Sequence, residues 1–395
     1  MINLTQTTRN LTESDKVTLE KWLEQKSKGL TYPIYASMDL RISSDKAAVV
    51  DTNLFPSGFN NLCETMINKS AQYLAEYIKQ YFSGVKKVAV FCEAHTRNLF
   101  YFQNLKALGQ IINKAGFESY FVHPEIEGTI EGIYFSQKYL KEADLLINNN
   151  DFSSGYPQLL QQLTIPVIPG KELIWAKRRK SRHFSIIRSL SVELAEKINI
   201  DPWFISAEFE FEQNINLKEK ASLERLKQKA ELVLERTRRK YREYQISTVP
   251  TIFIKDDAGT YGMGIMTIQN IDELDNLNSK KYNKMSVGKQ HIIKDLLVQE
   301  GIPSSLQCKG AVAEPVIYCI GQHFIGAFLR VNQLKNEMAN LNSKGMEFFR
   351  ICNEDIDHLE MPDECQGQRI IDDLGMITIR VALLAAATEN SAEKG

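Results

Sequence analysis

Apolar residues recur along this chain at two spacings, and the changes between them mark its elements. From Glu13 to Lys26, Val17, Leu19, Trp22 and Leu23 fall at helical intervals behind Thr12 or Ser14 as caps, which predicts an amphipathic helix. Ile34–Ile42 and Ala47–Asn53 carry strand-type residues on either side of a Ser43–Lys46 turn, a predicted hairpin. Leu54–Asn61 is turn-rich, and Leu62–Phe82 returns to helical spacing through Met66, Ala71, Leu74 and Tyr77. Short apolar runs at Lys87–Cys92, Ser119–Val122 and Leu145–Asn148, with a helix at Leu99–Ala115, give a βαβ rhythm. Pro166 and Pro169 mark its end.

Beyond that boundary the pattern is more polar. Lys171–Leu190 carries the basic run Lys177–His183, which reads as a solvated helix face or as a source of one phosphate-contacting lysine. Residues 215–244 predict a long charged surface helix with Leu223, Leu226, Ala230, Val233 and Leu234 on one side. Residues 271–300 read as a polar helical stretch. Gly310–Ile320 reads as a strand whose Pro315 places it at an edge or a bend, and Phe324–Asn332 is its return strand after Gly321-Gln322. Glu337–Gly345 is a polar loop, and Ile377–Ala387 is a core-packed helix.

Composition narrows the class. The 395 residues, 43% hydrophobic and 25% charged, suit a globular protein of two or three domains or lobes. A net charge of -1 implies no nucleic-acid partner. No apolar run reaches the roughly 18 residues of a membrane span. Met1–Lys16 lacks a signal-peptide core, so a cytoplasmic location is expected. The six cysteines show no C-x-x-C spacing and are expected to be reduced thiols. The six histidines are dispersed, which argues against zinc.

Two stretches carry candidate chemistry. Thr251–Met266 runs strand, Lys255, glycine-rich loop, strand. A P-loop needs its lysine after the glycines, and a dinucleotide fingerprint needs G-x-G-x-x-G opening a helix. Here the spacing is G-x-x-G-x-G and the lysine comes first, the arrangement of an ATP-grasp lid; the plainer alternative is a hairpin with a glycine-rich turn. The second stretch is the early hairpin. Folding about Ser43–Asp45 brings Asp39 near Asp51, and alternation puts Asn53 on the Asp51 face. Such a set suits a hard cation such as Mg²⁺, or is simply solvated polar surface. Glu212-Gln-Asn214 is a rival acidic pattern without an aspartate twelve residues before it.

Five segments, IFIKDDAGTYGMGIM, EPVIY, GAFLRVN, NLNSKG and VDTNLFPSGFNNL, together resemble the ATP-grasp type of glutamate–cysteine ligase found in some bacteria. The resemblance runs from about Tyr35 to Ala387. It implies an α/β (α+β) ATP-grasp fold with an inserted Rossmann-like α/β domain. Residues 1–55 would hold the first helix and metal hairpin, 56–170 the Rossmann-like domain, 171–310 the lysine-and-lid lobe, and 311–395 the rest of the larger lobe. Lys255 would contact ATP phosphates under a lid of Gly259, Thr260, Gly262 and Gly264, with Lys180 as a second lysine. Ala313, Glu314 and Val316 would flank adenine. Arg330 would neutralise charge at the transferred phosphoryl group, with Asn340 beside it. Asp39, Asp51 and Asn53 would hold Mg²⁺, as two ions; the usual family order has this triplet after the arginine strand, and Asp51 replaces a glutamate. The early position implies a circular permutation, with the first strands beside the last. Arg41 and Arg97 are candidates for substrate carboxylates or are structural ion pairs. The implied reaction joins glutamate to cysteine through a γ-glutamyl phosphate, the first step of glutathione biosynthesis. Its partners are small molecules, with no membrane, and a homo-oligomer stays open. Rival readings are a ligase for another amine and a nucleotide-binding regulator without turnover.

Overall fold

The fold is that of a computed structural model describing residues 11–94, 98–152, 155–258, 264–275, 294–352, 365 and 370–392. Helix α1 (Glu13–Ser27) starts in a capping box, with Thr12 and Asp15 bonding each other's backbone N–H. Its Leu19, Trp22 and Leu23 are buried, whereas Val17 is 52% exposed and is not part of the apolar face.

Strands β1 (Tyr35–Ile42) and β2 (Ala47–Asn53) form the early hairpin. Ser43 Oγ accepts from the N–H groups of Asp45 (3.1 Å) and Lys46 (3.0 Å), closing the turn. Helix α2 is Glu64–Tyr81. A mostly parallel sheet follows from β3 (Lys87–Phe91), β4 (Glu118–Val122), β5 (Gly128–Ile130), β6 (Ile133–Phe135), β7 (Leu145–Asn148) and β8 (Val167–Ile168), with helix α3 (Leu99–Lys114) between β3 and β4. Its order is β5-β6-β4-β3-β7-β8.

Helix α4 spans Lys180–Ile198 and α5 spans Lys220–Glu243. The basic run is therefore no solvated helix face: Lys177–Arg179 precede the helix, and Arg178 and Lys180 are buried. A four-stranded antiparallel sheet comes from β9 (Phe209–Glu212), β10 (Ile252–Asp256), β11 (Ile265–Ile268) and β12 (Leu296–Glu300), in the order β11-β10-β12-β9. Leu226, Ala230, Val233 and Leu234 of α5 pack on Ile252, Ile254, Leu296 and Val298. The expected helix over 271–300 is thus a strand at its end. Leu296, Leu297 and Val298 are consecutive because β12 is buried on both faces, a pattern that periodicity cannot separate from helix. Residues 276–293 lie outside the described chain.

The largest antiparallel sheet adds β13 (Gln307–Cys308), β14 (Ala311–Ile320), β15 (His323–Asn332) and β16 (Met346–Ile351) to the first hairpin. Its order is β16-β15-β14-β1-β2, so the first strands of the chain lie against the last. Strand β14 is interior, not an edge. Pairing of β1 with β14 stops at Asp39–Val316, where β1 is bulged, and Pro315 sits just beyond that ladder.

This sheet has one uniform face and one divided face. Met38, Leu40, Ile317 and Leu329 point toward helix α6 (Asp373–Ala392) and join its Leu374, Ile377, Val381 and Leu384. Each such side chain contributes about 1.5–3 kcal/mol by burial. The opposite face is apolar at one end, where Tyr35, Val316, Tyr318 and Phe328 meet Phe59 and Met66. A Cβ at Gly326 would lie 2.4 Å from Met66 Sδ, so a glycine is needed for α2 to approach. The other end of the same face carries Asp39, Arg41, Glu314 and Arg330.

The reduced-thiol expectation fails at one pair: Cys308 and Cys365 form a disulfide with Cα atoms 4.4 Å apart. The rival acid Glu212 is ion-paired to Arg225. The acidic run Glu354–Asp363 lies outside the described residues. No described helix is long and apolar enough to cross a membrane.

Candidate active site

A cleft separates the charged end of the large sheet from the open face of the four-stranded sheet. One wall is Asp39, Arg41, Val50, Asp51 and Glu314; the other is Phe253, Lys255, Ile265 and Gln299, with Ile302 beyond. Lys180, Asn340 and Asn342 close the ends. Strand alternation explains the second wall: Ile252 and Ile254 face α5, so Phe253 and Lys255 face the cleft.

The large-sheet wall is a network of charges. Arg330 donates from Nη1 to Asp39 Oδ2 (2.9 Å) and Glu314 Oε1 (2.7 Å), and from Nη2 to Asp39 Oδ1 (3.2 Å). Arg41 pairs through Nε with Glu314 Oε2 at 2.6 Å. Its Nη1 and Nη2 donate to the carbonyls of Glu337 (2.9 Å) and Ala339 (2.6 Å). Arg41 thus anchors the loop that carries Asn340, and a substrate carboxylate would have to displace protein partners to reach it.

Asp39 stands directly opposite Asp51 in the hairpin register. Burial pushes the Asp39 carboxyl above the usual range, with the Glu314 and Asp51 charges adding to this against Arg330. At Asp51 burial acts the same way, but Lys180 and Lys255 outweigh it and hold the carboxyl down at about 2. Lys180 Nζ is ion-paired with Asp51 Oδ1. Lys255 Nζ donates to Val50 O (2.9 Å) and Gln299 Oε1 (2.6 Å). Burial, then repulsion from Lys180, lowers the Lys255 ammonium to about 8.

The predicted residues divide into those at the cleft and those away from it. Asp39, Arg41, Asp51, Lys180, Lys255, Glu314 and Asn340 line it, and Arg330 joins through Asp39 and Glu314. Asn53 does not line it; its Oδ1 accepts from Phe55 N at 2.8 Å. Ala313 and Val316, expected beside adenine, are buried in the two cores on opposite faces of β14. Phe253, Ile265, Gln299 and Ile302 line the cleft where Ala313 and Val316 do not. For Gln299 the signal was the apolar run Leu296–Val298 ending in Gln299-Glu300, which reads equally as strand. Gly264 has φ +66°, a backbone that favours glycine. Gly259, Thr260, Gly262 and Arg97 lie outside the described residues.

The donor set fits ATP and a hard cation. Gln299 Nε2 and Arg330 Nε are buried without a hydrogen-bond partner among the described residues, two donors that an oxygen-rich anion would satisfy. The facing acids Asp39 and Asp51 offer only oxygen, the ligand type Mg²⁺ selects. Amino groups and guanidinium now neutralise both. No group of three His, Cys, Asp or Glu side chains suited to a metal occurs among the described residues, so phosphate and water oxygens would complete the shell.

Comparison with known proteins bears on the chemistry. The family model described as glutamate-cysteine ligase, GshA, matches residues 9–132 and 136–390. A crystal structure of a candidate γ-glutamylcysteine synthetase from Methylobacillus flagellatus KT is 33% identical, covering 97% of this chain and 95% of that one, with a TM-score of 0.84. A glutathione synthetase-like effector, GSS30, from Globodera pallida aligns over 85% of this chain and 77% of its own at 10% identity, with a TM-score of 0.35 that carries no argument. No curated protein matches the chain. Matched along nearly its whole length, by a family model and by a solved fold, this chain belongs to the GshA family of glutamate–cysteine ligases.

Proposed function

We propose that this ATP-dependent ligase makes γ-glutamylcysteine in the cleft between its two antiparallel sheets, as a circularly permuted ATP-grasp enzyme. One observation carries the reading. Acids from the start of the chain, Asp39 and Asp51, share a cleft with Lys180, Lys255 and Arg330 from much further along it. The pairing of β1 with β14 supports the permutation. On this reading residues 56–170 are an inserted Rossmann-like domain, 171–310 the lid lobe, and 1–55 with 311–395 the larger lobe.

Adenine rests among Phe253, Ile265 and Ile302, and the triphosphate runs toward Lys255 and Lys180. Asp39 and Asp51 would hold Mg²⁺, as two ions, and Asn53 would join them if its Oδ1 were freed from Phe55 N–H. A Mg²⁺ ion held there would supply positive charge to the phosphate oxygens. The γ-carboxylate of glutamate is a poor electrophile. Its oxygen attacks the γ-phosphorus of ATP, the bond to the ADP oxygen breaks, and an acyl phosphate forms. The cysteine amine then attacks the carbonyl carbon, phosphate leaves, and the amine proton passes to solvent. Arg330 and Lys255 stabilise charge on the transferred group, and Asn340 orients it. Cleft closure keeps water from the acyl phosphate. A cytoplasmic setting fits a thiol substrate.

The test is phosphate release from ATP and glutamate with a panel of amines. Cysteine should drive release well above every other amine. Release with cysteine no greater than with no amine rejects the reading.

A further inference from the structure

Behind the metal strand lies a buried polar cluster that none of these steps uses. Glu389 of α6 accepts from Arg178 Nη2 at 3.0 Å and Nε at 3.3 Å, and bonds His183 Nδ1 at 2.8 Å. His183 Nε2 meets Thr52 Oγ1 at 2.9 Å, and Arg178 Nη1 donates to Thr52 O at 2.6 Å. All four residues are buried. The bonding sets the tautomer: Nδ1–H donates to the carboxylate, leaving Nε2 to accept from the threonine hydroxyl. Burial, against the Glu389 charge, lowers the His183 imidazole and favours this neutral form.

The placement is specific. On a strand, Thr52 points away from the cleft while Asp51 and Asn53 point the other way. One short segment, Arg178–His183, grips β2 from both sides. Arg178 and His183 hold the backbone and hydroxyl of Thr52, and Lys180 pairs with Asp51. A buried ion pair seldom stabilises a fold more than apolar residues of the same volume, so its presence asks for another role.

We infer that Glu389, Arg178, His183 and Thr52 are positioning residues that hold Asp51 and Lys180 in register for Mg²⁺ and phosphate. This rests on the reading of Asp51 as a metal ligand. Groups that orient ligands in this way typically alter metal affinity by about 10–100-fold when lost.

The test uses the full chain with ADP present and Mn²⁺ as the probe, its binding followed by electron spin resonance. Thr52→Val keeps the shape and removes the hydroxyl. It should weaken Mn²⁺ binding by about tenfold and raise the half-saturating Mg²⁺ in phosphate release by a similar factor. Thr52→Ser should restore both. Glu389→Gln should act in the same direction where it folds. A Thr52→Val protein that melts lower yet binds Mn²⁺ as wild type does overturns the inference and leaves the cluster structural. Asp51→Asn serves as the control. If it leaves Mn²⁺ affinity unchanged, the metal-site reading fails and takes this inference with it. If it weakens binding while Thr52→Val does not, only the positioning role falls.

Discussion

The two walls of the cleft solve opposite problems. The large-sheet wall concentrates charge: Asp39, Glu314, Arg41 and Arg330 neutralise one another through bonds across up to 291 residues of sequence. The four-stranded wall mixes Phe253 and Ile265 with Asp256, Gln299, Glu300 and Lys255, and Lys255 donates to Val50 O and Gln299. A base needs area and a phosphoryl group needs fixed charge. On the proposed reading the base rests on the four-stranded wall, and Lys255 of that wall meets the phosphoryl group together with Arg330 of the other.

The hardest blow to the comparison is Arg330→Ala. On the proposed reading it removes transition-state charge, and it leaves Asp39 and Glu314 without their guanidinium partner. Phosphate release should fall roughly 10²–10³-fold, and the melting temperature should drop as well, since breaking a buried pair costs about 3–5 kcal/mol. A variant with near wild-type turnover would make the charged wall merely structural. Phe253→Ala sharpens the other side. It should raise KM for ATP about tenfold with kcat little changed, the signature of lost uniform binding. A fall in kcat at constant KM would give the apolar wall a part in chemistry.

Lys255 predicts a smaller effect of pH. Burial lowers its ammonium to about 8, so on the proposed reading the free enzyme loses a phosphate-binding charge as pH rises through that value, and KM for ATP should climb about fivefold between pH 8 and 9. Lys255→Arg should flatten that rise at lower overall activity. The folding term has the opposite sign. This group binds more protons unfolded than folded between about 8 and 10.5, so it adds stability as pH rises across that window. The smallest effect belongs to Val17→Lys, which should change stability by no more than about 0.5 kcal/mol by chemical denaturation, because the side chain is exposed.

How much was legible depended on how local the cause was. The Asp39–Asp51 pairing followed from a short turn, because hairpin register propagates from its loop. The cleft place of Lys255 followed from alternation on one strand. Gln299 was missed because Leu296, Leu297 and Val298 blur strand and helix periods. Pro315 misled because a missing N–H costs nothing where the neighbouring ladder has already ended. Ala313 and Val316 were misplaced because nothing local says which core each face of β14 meets.

The order of residues alone determined most of the helices, the hairpin and the identity of the charged groups, since these follow from periods of two and 3.6 and from turn chemistry. Tertiary structure decided the rest. It set β1 against β14, divided one sheet face between a core and a cleft, and joined Arg178 to Glu389 across 211 residues. Burying a charge is tolerable only when a partner arrives with it. That partner comes from folding as a whole, and no window of sequence contains it.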